Sequence, residues 1–113
     1  MSKRSPRLLL EDILHSVDKI NEYTNQMSFD EFSSDSKTSD AVIRNFEIIG
    51  EAANRLSEDI KDEYLSVDWH RIRGFRNRIV HDYMGIDFQM VWHIKENFLP
   101  QLKNQIQSIL ENF

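Results

Sequence analysis

A chain of 113 residues has the length of one domain, enough for a single modest core and too short for a two-domain enzyme. Hydrophobic residues at 40% and charged residues at 29%, with seven Phe, two Trp and three Tyr, are globular values that exclude a disordered chain, while three Gly and two Pro leave tight turns and glycine-rich phosphate loops scarce. The absence of cysteine excludes a disulfide framework, a thiolate metal site and a cysteine nucleophile, and a net charge of -5 argues against a nonspecific polyanion binder.

The predicted elements are all helical. Lys3 and Arg4 precede Leu8, Leu9 and Leu10, but Glu11 and Asp12 end that apolar run far short of a signal peptide or a membrane span, so a cytoplasmic protein is expected. Ser5 followed by Pro6 reads as an N-cap with proline at the first helical position. Leu9, Leu10, Ile13, Leu14, Val17 and Ile20 then recur at helical spacing, predicting a first helix over about 5–27. Ser28 with Glu31 three residues on fits a capping box and a short helical turn, and the polar stretch from Ser33 to Ser39 reads as a mobile loop. Val42, Phe46, Ile49, Ala53 and Leu56 form one apolar face of a long second helix over about 37–64. Asp68 caps a third helix running to the neighbourhood of Tyr83 and Met84, with Gly85 as its left-handed terminator. Asp87 caps a fourth, which Pro100 kinks or splits from a last helix ending near Leu110. No strand-like alternation and no internal repeat competes, so the expected fold is all-α, an antiparallel bundle of four to five helices formed by residues 1–113 as a single domain.

Chemistry concentrates in the third helix. From Trp69 to His81 the sequence WHRIRGFRNRIVH holds Arg71, Arg73, Arg76 and Arg78 and no acid, leaving ten basic against nineteen acidic side chains elsewhere. A basic patch on an acidic body favours one anionic ligand docking in one place; the alternative is a solvated face whose arginines pair with neighbouring acids. At about 100° per residue, Trp69, Ile72, Phe75, Ile79, Val80 and Tyr83 fall within roughly 100° of Arg76, which places that arginine in the apolar stripe. There it must snorkel, meet a carboxylate or line a polar cleft. His81 falls about 140° away, beside Asn77, Gly74 and His70, so a site shared by Arg76 and His81 needs a cleft around the helix end or a second chain.

On the second helix, Asn45 lies in the apolar face and needs a buried partner, while Arg44, Ile48, Glu51 and Arg55 form a separate face. Glu51 is a candidate counter-ion for one of the arginines, or a local partner of Arg44 or Arg55. His15, His70, His81 and His93 show no metal-ligand spacing, so no metal and no cofactor is expected. A histidine beside an arginine cluster combines proton transfer with cationic donors, as RNA cleavage requires. A base activates the ribose 2′-hydroxyl, an acid serves the leaving 5′-oxygen, and a guanidinium holds the nonbridging oxygens.

From Arg76 to Tyr83 the sequence RNRIVHDY resembles the RxxxxHxY motif of the HepT-like toxins, a branch of the HEPN superfamily of small helical ribonucleases. IRNFEIIGEAANRLSE over Ile43 to Glu58, WHRIRGFRNRIVHDYMGID over Trp69 to Asp87 and the late VW and LPQL blocks are similar to that family in order and spacing, so the resemblance covers Leu9 to Leu110. It implies an HEPN-like bundle in which Arg76 and His81 are the catalytic pair and Asn77 is the polar residue after the arginine. Arg73, Arg78 and Glu51 are candidate supporting or RNA-binding residues around that pair. It further implies a homodimer whose two motifs face one another across a cleft, and RNA cleavage without a metal. It places the chain as the toxin of a type VII-like toxin–antitoxin pair, neutralised when an MntA-like minimal nucleotidyltransferase adds AMP to Tyr83. The alternative is a noncatalytic HEPN module that binds a nucleotide or partner protein and scaffolds the transferase. A DNA-binding dimer is disfavoured by the acidic remainder and the lack of a helix-turn-helix pattern.

Overall fold

The computed structural model describes residues 4–82 and 85–113, and among them it forms seven α-helices and no strand. They are α1 (Pro6–Tyr23), α2 (Phe29–Ser34), α3 (Ser36–Arg55), α4 (Glu58–Glu63), α5 (Trp69–His81), α6 (Phe88–Asn97) and α7 (Leu99–Glu111). The all-α expectation holds, with two six-residue helices, α2 and α4, beyond the five long ones. No described helix is long and apolar enough to cross a membrane.

Helix starts follow their capping side chains. Ser5 accepts from the Leu8 N–H at 3.2 Å with Pro6 at the first turn of α1, Asp68 accepts from Arg71 N–H at 3.0 Å, and Asp87 accepts from Gln89 N–H at 2.9 Å. Ser28 and Glu31 form the complete capping box of α2. Helix α1 stops earlier than periodicity predicts. The Thr24 hydroxyl donates back to Ile20 C=O at 2.8 Å, and Gln26 takes a left-handed turn at φ 62°.

Three expectations are corrected. The Ser33–Ser39 stretch is not a loop: Ser33 and Ser34 finish α2, and Asp35 caps α3 through Thr38. Ser39 is fully buried, its hydroxyl bonded to Ser36 C=O at 3.3 Å. The second long helix does not run on to Tyr64. It ends at Arg55, the chain turns through an extended Leu56, and Ser57 caps α4 through Ile60 N–H. Gly85 is not in a left-handed conformation; its N–H donates to Asp82 C=O at 2.7 Å. Pro100 does separate two helices, entering at the first turn of α7, where its missing N–H costs nothing.

Helix α3 is the structural axis, packing on α1 along one side and on α5 along another, while α7 closes against α1 and α6. One contiguous core joins Leu10, Ile13, Val17 and Ile20 of α1 to Val42, Phe46 and Ile49 of α3 and Leu99, Leu102 and Ile106 of α7. Phe32 of α2 is completely buried between Phe88 and Trp92 of α6, with ring centroids 5.8 and 5.1 Å away, which ties the short helix into the bundle. The buried amide of Asn45 finds its partner within its own helix, donating to Ala41 C=O at 2.9 Å.

Candidate active site

The position of α5 follows from its sequence. Ile72 and Ile79 are buried, Trp69 and Phe75 are partly so, and the Phe46 and Phe75 rings meet edge to face at 5.0 Å where α5 crosses α3. Trp69 is held from the other end, its indole N–H donating to Tyr64 C=O at 3.1 Å. Val80, within the apolar arc by helical angle, is instead 45% exposed, because α5 packs chiefly on α3 and its outer flank stays uncovered.

Arg76 occupies the seam between α3 and α5. It is half-buried, and its Cβ and Cγ lie so close to Gly50 of α3 that any side chain there would overlap them. Of its three guanidinium nitrogens, only Nε is enclosed without a hydrogen-bond partner among the described residues. An enclosed donor with no acceptor costs about 1–3 kcal/mol, so Nε is held by packing, while the Nη nitrogens, which are not enclosed and have no internal carboxylate among the described residues, are left to an external anion.

The remaining arginines of α5 divide their roles. Arg71 stacks over the Phe98 ring at 5.0 Å. Arg78 meets Asp82 at 3.7 Å on the surface, an exposed pair of small energetic weight. Arg73 is exposed, forms no ion pair among the described residues, and lines a groove of about 520 Å³ between α4 and the start of α5 together with Lys61, Asp62, Asp68, Trp69 and His70. The periodicity of α5 places His70 on the same face as Asn77 and His81, but this groove and the burial of Lys61 beside it had no signal in sequence, since α4 was not separable from α3.

His81 and Asn77 are both exposed. Within one chain the structure brings neither of them to Arg76 by any hydrogen bond among the described residues. His70, Gly74, Asn77 and His81 instead form an exposed polar stripe along α5, and among the described residues nothing lies within 4 Å of where a side chain on Gly74 would project. Glu51, one residue on from Gly50, turns toward α1 and lines a crevice of about 90 Å³ with Leu9, Asp12 and Arg55. Among the described residues it forms no ion pair with Arg44, Arg55 or Arg76. Tyr83 lies outside the described residues. No group of three or more His, Cys, Asp or Glu side chains among the described residues is placed to hold a metal ion.

Comparison with known proteins gives one consistent family. The family model described as ribonuclease HepT-like matches residues 13–109. A provisionally named RNase of Methanocaldococcus jannaschii is 39% identical over 112 residues, covering 99% of this chain and 93% of the relative. The probable ribonuclease HepT of Thermococcus cleftensis is 35% identical over 107 residues, covering 95% of this chain and 97% of the relative. A provisionally named RNase of Caldanaerobacter subterraneus is 32% identical over 108 residues, with 96% of each chain covered. No solved structure matches.

Proposed function

Because this chain belongs to the HepT-like ribonuclease family, we propose that it is a homodimeric endoribonuclease toxin that cleaves RNA without a metal, using Arg76 and His81. The observation that carries the reading is the state of Arg76. A guanidinium is seated in an apolar seam, with an enclosed and unpartnered Nε, on a helix with no acid between Trp69 and His81. A group so held is preorganised for charge that arrives with substrate, and a phosphodiester supplies that charge.

In this reading the ribose 2′-hydroxyl gives up its proton as its oxygen attacks the adjacent phosphorus, and the bond to the 5′-oxygen breaks as that oxygen takes up a proton, with His81 carrying one of the two transfers and water the other. Arg76 holds the nonbridging oxygens, and exposed Arg73, Arg78 and Asn77 bind the flanking backbone. Since Arg76 and His81 leave α5 on different sides, a twofold pairing of α5 helices would oppose the arginine of one copy to the histidine of the other.

Neutralisation falls to a minimal nucleotidyltransferase of the MntA type. The phenol oxygen of Tyr83 attacks the α-phosphate of ATP and pyrophosphate leaves, putting bulk and negative charge two residues beyond His81, where RNA phosphates would be repelled. Glu51 lines the crevice on the α1 side of α3 and is given no part in holding the reacting phosphate.

The test is cleavage of RNA by purified, unmodified protein in EDTA. Wild type cleaves, while Arg76→Ala and His81→Ala each lose about 10²-fold or more. If wild type neither cleaves RNA nor arrests growth, the enzyme reading falls and the noncatalytic module stands. Intact mass after coexpression with the transferase tests Tyr83: a Tyr83→Phe chain that still gains AMP refutes that assignment.

A further inference from the structure

Building on the assignment of Arg76 to the reacting phosphate, we propose that Gly50 is a positioning residue for Arg76: the missing side chain on α3 lets the arginine stem lie across that helix and sets where its guanidinium emerges.

Glycine weakens a helix interior, so its presence there needs a cause. Backbone conformation is not the cause, since no glycine among the described residues has a positive φ. Space is the cause. A Cβ on Gly50 would overlap Cβ and Cγ of Arg76 and stand 3.5 Å from its Cδ. Cγ can turn about the Cα–Cβ bond, but Cβ is fixed to the backbone and cannot swing aside, so a methyl at 50 pushes α5 itself. The helix cannot simply roll away, because Phe75 is packed against Phe46 and Ile72 and Ile79 are buried on either side. Nε is enclosed with no hydrogen bond among the described residues to correct its placement, so a shift of the stem passes directly to the guanidinium. The other glycine of this region, Gly74 on α5, has open space around it and carries no such contact.

The experiment measures RNA cleavage, RNA affinity and melting temperature for Gly50→Ala beside Ala52→Gly, a control that weakens α3 on its α1 side. Gly50→Ala is expected to stay helical, to keep its KM for RNA within about 3-fold, and to lose kcat by about 10²-fold, the scale of an ångström misplacement. Ala52→Gly is expected to keep kcat within about 2-fold at a comparable loss of melting temperature. Equal kcat losses in the two variants, or a Gly50→Ala chain with wild-type kcat beside an inactive Arg76→Ala, overturn the proposal and leave the functional reading intact. An Arg76→Ala chain that cleaves like wild type overturns the functional reading itself.

A stability arm holds even where Gly50→Ala does not fold. Removing the arginine stem should make position 50 tolerant, so Gly50→Ala added to Arg76→Gly is expected to melt at or above the point where Arg76→Gly alone melts, since alanine favours the helix. A further drop as large as in the wild-type background would show that the Arg76 contact is not what excludes a side chain, and would overturn the proposal.

Discussion

Arg76 and His81 stand five residues apart on α5 yet meet different surroundings: Arg76 is half-buried against Gly50 of α3, while His81 is exposed at the helix end. At about 100° per residue their side chains diverge by about 140°, so one helix does not present both to one phosphate. If each site takes the arginine of one copy and the histidine of the other, inactive Arg76→Ala and His81→Ala chains complement one another. After equal mixing and reassortment, about a quarter of wild-type activity is expected, because half the dimers are mixed and each has one intact site of two. Zero recovery with confirmed mixed dimers would place both groups of each site on the same chain.

Gly74 offers a second check on the same surface. A methyl there meets nothing within 4 Å among the described residues, so Gly74→Ala should stabilise α5 by about 0.5–1 kcal/mol through helix propensity alone. If α5 helices pack on one another along the His70–Gly74–Asn77–His81 stripe, the same methyl should weaken dimerisation. Denaturant titration and sedimentation of the one variant separate the two effects, and unchanged dimer affinity would move the contact off this stripe.

Acid should loosen the starts of α2 and α3. The Ser28 backbone N–H, followed by its hydroxyl, holds the Glu31 carboxyl below its ordinary range, and the Thr38 hydroxyl, followed by the Thr38 N–H, does the same for Asp35. Both groups bind a proton less readily in the folded chain than in the unfolded one. Their stabilisation is therefore complete above the ordinary carboxylate range of about 4 and is lost as pH falls through their lowered folded values. Melting temperatures from pH 7 down to pH 3 should fall less steeply for Glu31→Gln and Asp35→Asn than for wild type. Parallel curves would show that these caps do not carry the acid limb.

Phe32 is the link by which α2 holds α6. It is fully buried against Phe88 and Trp92, so Phe32→Ala should cost about 3–5 kcal/mol in a denaturant melt. Helix α5 makes no contact with this cluster comparable to its contact with α3, so RNA cleavage by the fraction still folded should be unchanged. A loss of specific activity in the folded fraction would reveal coupling between α6 and the site.

The helices with local stop and start signals were legible in sequence. Ser5-Pro6, Ser28 with Glu31, Asp68 and Asp87 each act through atoms within three residues, and each cap forms as the residue order requires. Tertiary packing overrode the rest. Ser39 reads as loop but is buried in α3, and the apolar period through Leu56 hides the break at which Ser57 restarts the chain as α4. The seating of Arg76 in an apolar stripe was visible from helical angle, whereas its contact with Gly50 joins residues 26 positions apart and leaves no mark in either helix's periodicity.

The acid-free run of arginines on α5 has a thermodynamic corollary for assembly. Two copies meeting along the polar stripe of this helix bring the exposed Arg73 and Arg78 of each to one boundary, four guanidiniums whose mutual repulsion opposes the association that would complete the site. A polyanion threaded between them removes that penalty, so substrate and self-association must favour each other reciprocally. The monomer–dimer equilibrium should then tighten with a noncleavable oligonucleotide and with moderate ionic strength, and a dimer constant indifferent to both would place the arginines away from the junction.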